Sequence, residues 1–86
     1  MCTMIAVTSP ISGMAKGEQG WFPITQATVG YDHATHSVEE HALLLDFTNY
    51  GIGLDARVAF ELDLESGRAL LAQLQSAINQ AEASGV

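Results

Sequence analysis

The sequence predicts an α+β domain: an antiparallel sheet of about four strands with one C-terminal helix packed on it. Three observations predict this. Apolar residues alternate with period two over four separate stretches, turn-forming residues lie between those stretches, and one long period-3.6 stripe follows Asp63. All of it falls within 86 residues, the size of a single domain, so one domain is expected over 1–86.

The first strand is expected over residues 2–8, where Thr3, Ile5 and Val7 give a β-branched alternation that stops before Pro10. Residues 12–20 contain Gly13, Gly17 and Gly20 and read as a mobile loop. Trp21 and Phe22 then land the chain back on the core, which makes 12–22 a candidate lid. The second strand is expected over 24–33 and the third over 41–49. Ala27, Val29 and Tyr31 share one face of the second, and Leu43, Leu45 and Phe47 share one face of the third. Pairing His33 with His41 places Tyr31 opposite Leu43, Val29 opposite Leu45 and Ala27 opposite Phe47. A slip of one residue would scramble this apolar face, so the pattern selects the register. A glycine-bearing turn around Gly51 and Gly53 leads to the fourth strand, 56–62, with Val58, Phe60 and Leu62 alternating. Asp63 is a natural helix N-cap. Leu70, Leu71, Leu74, Ala77, Ile78 and Ala81 form a single stripe on a helix expected over 64–83, ended by Ser84 and Gly85.

Composition narrows the partners. Ten acidic residues against three basic ones give a net charge of -7, which repels phosphate backbones and offers no basic patch to nucleic acid or to anionic lipid. No apolar run is long enough to span a bilayer. The segment from Met1 to Pro10 lacks the basic start and long apolar stretch of a signal peptide. With a lone cysteine, Cys2, a cytoplasmic location is expected. A domain this small has marginal stability, and a single cysteine cannot form an internal disulfide. A metal, an oligomer or both are the remaining supports. Ala42-Leu43-Leu44-Leu45 puts aliphatic residues on both faces of the third strand, whereas one helix covers one face. A homodimer or larger homo-oligomer is therefore expected.

All three histidines lie between His33 and His41. The proposed register makes His33 and His41 cross-strand neighbours with Cβ atoms roughly 4.5–5.5 Å apart, and places His36 in the connecting loop. Three functional readings follow. In the first, His33, His36 and His41 bind a divalent transition metal, zinc above all, with Glu40 or Asp32 as oxygen ligand, base or acceptor for an imidazole N–H. In the second, the same groups act as metal-free acid–base machinery, an isomerase or cyclase site in which Tyr31 can donate its phenol. In the third, the histidines cap strand ends or are solvated, and the chain is a dimeric binding or accessory module. Cys2 is a further candidate thiolate, although a packed strand position suits it better. Asp46 and Arg57 each read as a surface group or a site group, with Arg57 pairing Glu61 or Asp55 if on the surface.

Met1-Cys2-Thr3, Gly20-Trp21-Phe22, Tyr31-Asp32-His33, Glu40-His41-Ala42 and Leu45-Asp46-Phe47 together resemble an uncharacterised family of short bacterial proteins, a domain of unknown function. The resemblance runs along nearly the whole chain and implies a stand-alone small domain. It implies no substrate and no catalytic residue. The leading expectation is a small metal-dependent enzyme that hydrolyses, isomerises or cyclises a small organic molecule.

Overall fold

A computed structural model describes residues 5–85. Its elements are strands β1 (Ile5–Gly17), β2 (Gly20–His33), β3 (His41–Thr48) and β4 (Arg57–Leu62), followed by helix α1 (Leu64–Ser84). The four strands form one antiparallel sheet in the order β1-β2-β3-β4. The expected α+β class and its connectivity are therefore observed. No helix among the described residues is long and apolar enough to cross a membrane. The expected start of the first strand, including Cys2, lies outside the described residues.

Side-chain alternation fixes the register. Tyr31 pairs with Leu43, Val29 with Leu45, Ala27 with Phe47 and His33 with His41, as the apolar pattern predicts. Extending the rows across the sheet gives Ile5–Tyr31–Leu43–Leu62 and Val7–Val29–Leu45–Phe60 on one face. The opposite face carries Thr8–Thr28–Asp46–Ala59 and Ala6–Gly30–Leu44–Glu61. One face is thus apolar and the other mainly polar. Gly30 allows β1 to close on β2, because a Cβ there would stand 2.6 Å from the carbonyl oxygen of Ile5.

The mobile loop expected over 12–20, and with it the candidate lid over 12–22, is instead ordered hairpin. Met14 pairs with Pro23, Lys16 with Trp21, and Gly17 with Gly20 around a turn at Glu18 and Gln19. Gly20 supplies the positive φ of 112° that this turn uses. Of the glycines read as flexibility, Gly17 and Gly20 bracket the turn that joins the two strands. A register shift between Pro10 and Gly13 sets two residues of β1 against one of β2, a bulge that bends the ribbon. Beyond it the arm has no third strand, since β3 begins to pair only at Gln26. Pro23 is tolerated for that reason: its carbonyl accepts from Asn49 Nδ2 at 3.1 Å, on the side away from β1. The bend brings β1 within reach of β4, at the opposite edge of the sheet.

Helix α1 starts as the sequence specifies. Asp63 Oδ1 accepts from the Ser66 amide at 2.7 Å, and this bond holds the Asp63 carboxyl below its ordinary value. Gly85 closes the other end in the left-handed conformation, its N–H donating to Ala81 and Glu82. Docking is confined to the first turns, where Gly67 sits directly against Leu43. From Leu71 onward every described residue of the helix is exposed, and no residue of α1 is fully buried.

The close approach at Gly30 generates a prediction. Gly30→Ala forces β1 away from β2 and is expected to destabilise the fold by about 1–3 kcal/mol, measured as a lower urea midpoint at fixed protein concentration.

Candidate functional site

The histidine window closes the β2–β3 connection, and its two ends meet as expected. The rings of His33 and His41 have centroids 4.5 Å apart with planes inclined at 32°. Tyr31 stacks on His41 at 5.8 Å and 22°. Alternation puts all three on the side of Leu43, at one end of the apolar face. The Ala34 amide donates to the Glu40 carbonyl at 3.1 Å, which pinches the loop shut.

His36 goes the other way. Its backbone amide donates to Glu61 Oε1 at 2.8 Å, and its ring Nδ1 lies 3.4 Å from Glu61 Oε2. Glu61 pairs with Leu44, so it belongs to the polar face. The loop therefore folds over the end of the sheet and away from His33 and His41. Among the described residues no three His, Cys, Asp or Glu side chains gather to hold a metal ion. The expected metal centre of His33, His36 and His41, and with it the metal-dependent enzyme, is overturned by this divergence. Sequence proximity brought the three rings into one loop, but a carboxylate on a distant strand turned the middle one to the opposite face.

The groups expected to act as acid, base or oxygen ligand occupy separate positions. Asp32 Oδ1 accepts from the backbone amide of His33 at 2.7 Å. Glu40 is exposed, and its carbonyl is engaged as described. Tyr31 is half-buried and engaged in the ring stack. Cys2 lies outside the described residues. Arg57 Nε donates to Asp46 Oδ1 at 2.6 Å, so these two neutralise one another on the polar face. The hydrogen bond to Asp46 is also the main cause of the raised Arg57 pKa. Arg57 thus has Asp46 as its partner where Glu61 or Asp55 was expected. Adjacent positions on one face bring them together, since Asp46 pairs with Ala59 and Arg57 lies two residues away on the same side.

Glu61 is the organising group that the sequence reading passed over as a surface partner. Its two oxygens accept from the backbone amides of Thr35 (3.1 Å), His36 (2.8 Å) and Ser37 (2.7 Å) and from the Thr35 hydroxyl (2.8 Å). These donors, the Ser37 amide first, lower its pKa from 4.5 to about 2. The only available signal was an acid alternating with the apolar Val58, Phe60 and Leu62 of β4. Two concavities open along β4, one of them at Glu61. One of about 450 Å³ lies over His36, Ser37, Phe60 and Glu61. The other, about 650 Å³, opens between the hairpin arm and the β3–β4 turn, walled by Trp21, Phe22, Leu54, Arg57 and Ala59.

Two outcomes follow for Glu61. A carboxylate with a depressed folded-state pKa stabilises the folded form above its unfolded value, and loses that contribution as pH falls through the folded one. The anchoring of residues 34–40 is therefore intact above about 4.5 and lost towards about 2, and the amide resonances of Thr35, His36 and Ser37 should titrate together in that window. Glu61→Ala is expected to speed hydrogen exchange at those three amides by about tenfold or more while leaving β2–β3 pairing amides unchanged.

No curated protein and no solved structure matches the chain. One family model does, over residues 1–86. The chain belongs to that family, the family of unknown function DUF6295.

Proposed function

We propose that this chain works as a homodimeric binding module. Two copies bury their apolar sheet faces and helix stripes together, and the polar faces with their clefts stay outward. The observation that carries this reading is surface. The chain exposes 6515 Å², whereas a folded monomer of 9.1 kDa exposes about 4,900 Å². Its radius of gyration is 14.6 Å, against about 12 Å for a compact domain of this length. An excess of roughly 1,600 Å² per chain corresponds to about 3,200 Å² buried in a pair, within the range of obligate homodimers.

The interior supports the same reading. Among the described residues no large side chain is fully buried, and the buried apolar residues are Ala42 and Ala56. Val7 is 67% exposed, Ile5 55% and Phe60 48%, and all three belong to the apolar rows. The polar face offers the ligand side of the module. Its cleft of about 650 Å³ has the volume of a small-molecule site, and Trp21 gives it an aromatic wall.

Sedimentation equilibrium at micromolar concentration tests the proposal. The expected mass is twice the 9.1 kDa of the chain, and a 9.1 kDa species overturns the reading. Because folding and association are linked, the thermal midpoint should also rise with protein concentration. A midpoint independent of concentration would count against the dimer.

A further inference from the structure

We infer that the two copies exchange helices: the outer stripe of each α1 lies across the uncovered sheet patch of the other copy. This rests on the homodimer proposed above and specifies which surfaces form it. The chain presents two separate apolar surfaces. One is the stripe Leu71, Leu74 and Ile78, at 66%, 54% and 51% exposure. The other is the part of the sheet face formed by Ile5, Val7, Val29 and Phe60, where Val29 is 44% exposed.

Its own geometry keeps the helix from covering its own sheet. Gly67 is pressed against Leu43 at the end of the apolar face, next to the short β4–α1 connection at Asp63. That seat holds the first turns and directs the rest outward. A helix of 21 residues is about 32 Å long, while four strands span only about 15 Å between their outer axes. The overhang is thus long enough to cross a second sheet.

Two considerations select exchange over other pairings. Helix against helix leaves the Ile5–Val7 patch in water, and sheet against sheet leaves the Leu71–Ile78 stripe in water. Exchange covers both with one kind of contact made twice, the self-complementary arrangement that a two-fold axis closes. Charge allows this contact without distinguishing it from the other two. Each copy carries -7, so two copies repel except where uncharged surfaces meet, and neither the stripe nor the patch contains an ionisable residue.

Crosslinking tests the contact. Val7→Cys and Leu74→Cys are made separately in a Cys2→Ser background, unfolded, mixed in equal amounts, refolded together and treated with a short bis-maleimide. Exchange predicts a covalent pair in the mixture well above that from either variant alone. Dimers that crosslink only like with like, or not at all, overturn the exchange and leave the homodimer standing. A parent protein sedimenting as a monomer overturns both. Parent-like far-UV circular dichroism is required of each variant. Leu74→Asp gives a second readout, because its position is exposed in the single chain. Exchange predicts native helix content with the dimer dissociation constant raised at least about tenfold, and an unchanged constant refutes it.

Discussion

The constraint on which the molecule depends is an apolar sheet face that a single chain leaves uncovered. Strand alternation places Ile5, Val7, Val29, Tyr31, Leu43, Leu45, Phe60 and Leu62 on one side. Burial of such a surface is the principal source of folding free energy in a small domain. Here the helix starts at the corner of that surface and leaves it. The usual arrangement, a helix lying across its own sheet, would have produced buried leucines, and the described residues contain none. In the proposed homodimer folding and association draw on the same apolar area, with the helix stripe and the sheet patch as two halves of one contact.

The opposite face is organised by charge instead of burial. Arg57 is held by Asp46, and Glu61 gathers three successive amides of the β2–β3 loop. Successive amides turned toward one carboxylate form a compact anion-binding nest, filled here by the protein's own side chain. Loop geometry at one end of this face is thus tied to β4, while the bulge at Pro10 and Gly13 brings the hairpin arm over the other end. The cleft by Trp21 is a consequence of that bend.

Much of this was legible in the residues, and the limits have physical causes. The β2–β3 register followed from period-two alternation because a slip would have moved every apolar side chain to the wrong face. Both helix ends followed from Asp63 and Gly85, since capping is a local interaction. The arm was misread because Gly13, Gly17 and Gly20 signal both mobility and close strand approach, and only cross-strand pairing separates the two. The histidine window was half legible. His33 and His41 are neighbours by register, but the direction of His36 depends on Glu61, 25 positions away, and no local pattern encodes that reach. The outward path of the helix was equally hidden. A stripe says which face of a helix is apolar, and nothing about whose sheet it covers.

In the proposed homodimer acidity takes on a further role. Apolar surface exposed on a single chain invites association without limit, and the β1 and β4 edges of the sheet add a second route to it. The bulge beside Pro10 interrupts β1 as a template for edge pairing, and Pro10 itself removes a donor. The proposed two-fold contact would consume the stripe and the patch together, leaving an assembly whose outer surface carries the acidic charge of both copies. Like-charged pairs repel one another at distances up to the screening length. In that proposed dimer the charge imbalance stops association at two, because the uncharged surfaces that overcome repulsion are used once and are then gone.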